Sequence, residues 1–196
     1  MNEEILKSIK QNLAALRGQI SEAAANAGRD ESTIRLIAVT KTFPASVVLA
    51  AYAAGLRDFG ENRVQEFQAK VAEIDPSVTM PDAKFHMIGH LQSNKAGLAT
   101  AFDCIQTIDG ERLARRLNEL AAQEGKRLRV LLQIKLGEEL AQEDRKTGAP
   151  IDQAERLAEL LGSLEHLAPE GLMLIPPFTE DRSEEHTSEL QSLAYL

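Results

Sequence analysis

The stretch RVLLQIKL, residues 129–136, decides how this chain folds. From Val130 to Ile134 it is apolar at every position but Gln133. A strand with one wet face alternates polar and apolar residues, whereas a strand covered on both faces has no need to. Parallel sheets are covered in this way, because each parallel crossover needs a helix-length connection that packs back on the sheet. Working outward, similar short stretches recur: LIAVTK (36–41), DFGE (58–61), FHMIG (85–89), CIQTID (104–109) and GLMLIP (171–176). Helical spacing fills the gaps. Val64, Phe67, Val71 and Ile74 share one face, Leu113, Leu117 and Leu120 another, and Leu157, Leu160, Leu161 and Leu164 a third. Ahead of them, Ile5, Ile9, Leu13, Leu16 and Ile20 predict a helix over 3–27, with Gly28 as its stop.

A leading helix and about six βα units suit either a doubly wound open sheet or a (β/α)₈ TIM barrel that is incomplete here. The barrel needs eight strands and typically about 250 residues. No GxGxxG or GxxxxGK[ST] loop follows any strand, which removes the support for a nucleotide-binding open sheet. Polar residues cluster instead after several strands, at Lys41, at Glu61 and Asn62, from Gly89 to Lys95, and at Asp109. Barrel sites are assembled from many strand ends on one face, so the pattern favours the barrel.

Composition narrows the setting. With 43% hydrophobic and 27% charged residues the chain has a globular balance, not a disordered one. A net charge of −8 gives no electrostatic reason to expect nucleic acid or an anionic membrane as partner. No apolar run approaches the roughly 18 residues of a membrane span. The acidic, helical start MNEEILKSIK does not read as a signal peptide, and the single Cys104 has no partner for an internal disulfide. A cytoplasmic protein is expected. Cys104 reads as a small buried apolar residue.

Several polar residues carry two readings. Lys41 ends the first apolar strand; it is either a solvated charge or an amine kept for reaction with an aldehyde, which requires the unprotonated form. In FGENRVQEF (59–67), Gly60 permits a bend, Asn62 can cap the next helix, and Glu61 stands where a helix dipole favours a carboxylate. His86 and His90 are four apart, but a strand ending at Gly89 separates them and no third metal ligand is evident, so a structural role is expected. Ser93 or Asn94 is expected to cap the helix that follows. EDRKTGAP (143–150), with Lys146 and Gly148, reads as a polar loop.

In this order and at these spacings, AVTKTFP, FGENRVQE, FHMIGHLQSNK, TID and GLMLIP resemble the pyridoxal phosphate homeostasis protein family, from the leading helix to about residue 178. The resemblance implies a single-domain (β/α)₈ TIM barrel of the alanine-racemase type, without that enzyme's extra β-domain. It implies pyridoxal 5′-phosphate (PLP) as cofactor, held as a Schiff base on Lys41, with Asn62, His86 and Met173 at strand ends around it. No catalytic residue is implied. The family is similar to a carrier and regulator that keeps free PLP low and supplies it to PLP-dependent apoenzymes. The alternative on the same barrel is an amino-acid racemase, which needs an acid/base group on each face of the substrate. Lys41 could serve one face. For the other, the sequence offers only Tyr52, in a predicted helix, and Tyr195.

Two departures qualify what the resemblance implies. The family grips the cofactor phosphate with a Ser-rich MGMS-like turn and a VRIG-like segment, and neither occurs in this sequence. Weak cofactor binding and an exposed edge on the sixth strand are therefore expected. Residues 182–192, RSEEHTSELQS, lack an apolar face of either period and resemble the translation of a sequencing-library adapter. The expected division is a barrel domain over 1–181 and an extraneous tail over 182–196.

Overall fold

Among the described residues six strands pair side by side in the order in which the chain makes them, and every pair is parallel. They are β1 (Ile37–Val39), β2 (Asp58–Glu61), β3 (Lys84–Met87), β4 (Cys104–Ile108), β5 (Leu128–Ile134) and β6 (Leu167–Leu174). The structure is a computed structural model that describes residues 2–135 and 147–175. A doubly wound sheet reverses its strand order at a switch point. This order never reverses. With right-handed crossovers, an order that always advances puts the helices on one face and leaves the other face to a barrel interior. The architecture is that of the expected α/β barrel, represented among the described residues by six consecutive strands.

The helices are those the apolar periodicity marks, plus short ones. Helix α1 (Glu3–Asn26) starts on Asn2, whose side chain accepts from the Glu4 N–H at 3.0 Å, and the chain leaves it through Gly28 at φ +64°. It is followed by α2 (Ala45–Ala53), α3 (Val64–Ile74), α4 (Pro76–Thr79), α5 (Ala96–Ala99), α6 (Glu111–Gln123) and α7 (Ala154–Ser163). The core lies between these helices and the sheet. Phe59 and Phe85 are register partners on β2 and β3, with ring centroids 5.6 Å apart. Phe67 of α3 packs on Phe85 at 5.1 Å and on Phe102 at 4.1 Å. Residues between these positions face the opposite, inner side. Gly60 lies there beside His86 in register, and a Cβ on Gly60 would meet the side chains of Ile88 and Ile37.

Four sequence expectations shift. β1 stops at Val39 instead of running to residue 41, because the Thr40 carbonyl accepts the Phe43 N–H and closes a turn. β6 begins at Leu167, four residues earlier than expected, pairing with β5 from Leu128 and absorbing Pro169 and Glu170 in a register shift. Arg63, not Asn62, occupies the N-cap of α3, and no side chain caps it. Ser93 and Asn94 lie inside a single 3₁₀ turn (Ser93–Lys95) and cap nothing. Of EDRKTGAP, only residues 147–150 are described. There Gly148, at φ +139°, sits tightly against the end of β5, and Gln133 donates to the Thr147 carbonyl at 2.9 Å. Lys146, Tyr195 and the tail over 182–196 lie outside the described residues.

Phe67 touches both Phe85 and Phe102, so truncating it opens a cavity between α3 and the sheet. Phe67→Ala is expected to cost about 3–5 kcal/mol. A midpoint shift in urea with unchanged slope would confirm this; a loss under about 1 kcal/mol would mean that the cluster carries little of the core.

Candidate functional site

The ends of the strands meet at one mouth, and Lys41 stands there at the end of β1. The turn that carries it runs from Thr40 to Phe43. Lys41 has an ordinary negative φ, whereas Thr42 has φ +66°. That combination is a type II turn, whose third residue is ordinarily glycine or asparagine. For a β-branched residue the left-handed conformation costs on the order of 1–3 kcal/mol. The Thr42 N–H is bonded to Oε1 of Glu66, in the first turn of α3. Lys41, Thr42 and Phe43 are all exposed, and Phe43 retains 52% of its accessible surface.

Under this turn lies a buried cluster that the sequence analysis missed. The Nζ of Lys70, on α3, donates to the Thr40 carbonyl at 2.7 Å and to Oε1 of Glu61 at 2.7 Å. It reaches Oε1 of Glu66 at 3.3 Å. Thr40 Oγ1 donates to the same Glu61 oxygen at 2.7 Å. The ammonium thus makes two hydrogen bonds and one further ion pair. Glu61 is fully buried and turned to the helix layer, where it meets Lys70 of α3. Its Oε2 has no partner among the described residues. Burial pushes the Glu66 carboxyl up, but the Thr42 N–H and Lys70 together outweigh that and hold it below the usual carboxylate range. One signal could have revealed the cluster: Lys70 falls inside the apolar stripe of Phe67, Val71 and Ile74.

Unlike Lys70, Lys41 has no hydrogen bond or ion pair among the described residues. Asn62, half-buried at the end of β2, likewise has an amide with no partner among them. Capping was the competing explanation for Asn62, and it does not hold. Gly89, after β3, is pressed against the Asn62 backbone; a Cβ there would come within 2.2 Å of the Asn62 carbonyl oxygen. Thr107 Oγ1 donates to the Gly89 carbonyl at 2.8 Å and fixes this contact from β4. Met173, on β6, is half-buried and in register with Gln133.

His86 is placed differently from the other three. It lies within β3, 2% exposed, with Nε2 2.9 Å from Asp58 Oδ1 and Nδ1 2.9 Å from the Gln106 amide nitrogen. Both ring nitrogens are therefore engaged one layer beneath the mouth. His90 faces Asp109 at 3.5 Å, so the two histidines have different partners. Burial pushes the Cys104 thiol up to about 12, which leaves it inert. A cavity of about 690 Å³ opens at the other end of the strands, lined by Arg17, Arg35, Arg57 and Asp58 among others. In barrels that end serves stability, and chemistry belongs to the C-terminal ends. Tyr52 is at this far end as well, its hydroxyl bonded to Asp82 and its ring 4.2 Å beneath the Arg57 guanidinium.

Residues 11–195 match the family model described as alanine racemase, N-terminal domain. A pyridoxal phosphate homeostasis protein from Pseudomonas aeruginosa is 39% identical over 184 residues, spanning 93% of this chain and 76% of that protein. Its namesake from Escherichia coli is 41% identical over 172 residues, spanning 87% and 71%. The chain belongs to the pyridoxal phosphate homeostasis protein family. Among solved structures, PipY of Synechococcus elongatus with PLP bound is similar at TM-score 0.70 and 34% identity, covering 90% of this chain and 83% of that one. An alanine racemase from Clostridium difficile, at TM-score 0.61 and 15% identity over 89% of this chain and 43% of that one, shares the fold.

Removing Lys70 leaves a buried carboxylate with no counter-charge. Lys70→Met is expected to cost about 3–5 kcal/mol in denaturant unfolding, and adding Glu61→Gln to recover part of it. An additive double variant would mean that the two groups do not interact. Glu66 sets a pH window. Its folded pKa is lowered, so its contribution is full above the ordinary carboxylate range and is lost as pH falls through the lowered value. Thermal melts should show the gap between the chain and Glu66→Gln at neutral pH and its closure in acid.

Proposed function

We propose that this chain binds pyridoxal 5′-phosphate covalently and reversibly through Nζ of Lys41, and that it acts in PLP homeostasis as a carrier. One observation carries this: the amine at the end of β1 is exposed at the mouth with no hydrogen bond or ion pair among the described residues, while the buried amine 29 positions later, Lys70, makes two hydrogen bonds and an ion pair. When bound, PLP supplies an aldehyde that condenses reversibly with an unprotonated primary amine. The residues present fit such a group. Lys41 supplies the nucleophile from a held turn. Asn62 offers an unpaired amide at the next strand end, and Met173 an apolar contact on β6. His86 forms the floor beneath them, its ring held by Asp58 and Gln106. The relative that is solved with PLP bound supports the choice of cofactor.

A carrier accounts for the residues better than an enzyme does. Racemisation requires a second acid/base group facing the first. Tyr52 is committed to Asp82 and Arg57 at the opposite end of the strands. Exchange of the alpha hydrogen of alanine with solvent is the activity that would reinstate a racemase. PLP-dependent apoenzymes in the cytoplasm are the recipients this function calls for, and residues 1–181 are the segment we assign to it. No described helix is long and apolar enough to cross a membrane.

Borohydride reduction after incubation with PLP, followed by peptide mapping, tests the site directly, and trapping makes weak binding measurable. Label confined to the Lys41 peptide, and absent from Lys41→Ala, is expected. Label spread over many lysines and unchanged in the variant would sink the assignment.

A further inference from the structure

We propose that Glu66 is a positioning residue for Lys41, clamping the Lys41–Thr42 peptide in its type II orientation. This rests on Lys41 being the cofactor amine. Type I and type II turns keep nearly the same end-to-end path and differ by a flip of the central peptide. In the Thr40–Phe43 turn that central peptide joins Lys41 to Thr42, and its N–H is the group that Glu66 Oε1 accepts. Left alone, a threonine in the third position prefers negative φ and would flip the peptide. The flip changes ψ of Lys41 by about 150°, and the rotamers open to a side chain depend on its own φ and ψ. The state of this one peptide therefore decides where the Lys41 amine can stand.

The grip is built to last. The same Glu66 oxygen lies 3.3 Å from Lys70 Nζ, which anchors the carboxylate on α3. The first residue of the turn is held independently, because the Thr40 carbonyl accepts from Lys70 at 2.7 Å and from the Phe43 N–H at 3.1 Å. In a planar trans peptide, C=O and N–H point in opposite directions, so with the N–H on Glu66 the Lys41 carbonyl points away from it. Glu66 need not touch the cofactor to act.

Glycine supplies the test, because it holds positive φ unaided. The chain is compared with Glu66→Ala, Glu66→Gln, Thr42→Gly and the double variant Glu66→Ala/Thr42→Gly. Two quantities are read: hydrogen exchange at residue 42 without cofactor, and the initial rate of borohydride-trapped labelling of Lys41 at a fixed PLP concentration. In Glu66→Ala, exchange should rise and trapping fall by about tenfold or more, the scale of one charge-assisted hydrogen bond. Glu66→Gln, whose amide oxygen accepts the same N–H, should stay near the parent in both. The double variant should regain most of the trapping rate. A general loosening of α3 would not be cured by a glycine in the turn. Parent-like trapping in Glu66→Ala would overturn the proposal, as would a cooperatively melting double variant with no recovery. If the parent itself shows no selective label on Lys41, the cofactor assignment fails; exchange at residue 42 still decides the clamp.

Discussion

The ammonium of Lys70 meets three oxygens from three elements: the Thr40 carbonyl after β1, Glu61 at the end of β2 and Glu66 on α3. Much of the mouth follows from that one coordination. An isolated charge so poorly exposed would lose far more in hydration than it gains from one partner. Full coordination is thus the condition for the lysine to be there, and it draws the ends of β1 and β2 onto α3. A buried pair of this kind is a weak source of net stability and a strong one of geometry, because alternatives that break it leave a charge uncompensated.

Two lysines of the same chemistry do opposite work here. Lys70 is immobilised by acceptors and is unavailable to any other group. Among the described residues Lys41 makes no such contact, and it is carried on a turn that those acceptors hold. The separation matters for a reactive amine, since an ion pair on Nζ would favour the protonated, non-nucleophilic form. Oε2 of Glu61, without a partner among the described residues, marks where the cluster is least satisfied. A buried carboxylate oxygen without a donor persists only where surrounding contacts over-determine the arrangement.

Much of this was legible in the sequence, and the rest was hidden for identifiable reasons. Apolar continuity in Val130–Ile134 and the helical spacing between strands foretold a parallel sheet, and the strand-end position of Lys41 foretold its place at the mouth. The start of β6 was obscured because Pro169, Glu170 and Gly171 look like breakers, and only pairing with β5 keeps them in the strand. Asn62 looked like a cap because residue type was visible and the helix start was not. Lys70 was passed over because a helical lysine is ordinarily solvated, though its place among Phe67, Val71 and Ile74 was there to be read. The strain at Thr42 had no local signal at all; a threonine in a turn reads as unremarkable until its φ is known.

The advancing strand order has a consequence for how the molecule comes into being. Among the described residues each strand is hydrogen-bonded only to those made just before and just after it. Among the described strands no pairing waits for a distant part of the chain, so for these six loop-closure entropy is met in small instalments. A growing chain can therefore add each strand and its helix to an edge already formed as it leaves the ribosome. The described hydrogen bonds and ion pairs that hold the Lys41 turn, those of its buried lysine and two glutamates, all lie at or before α3, so the turn belongs to the earliest part of the sheet to be completed.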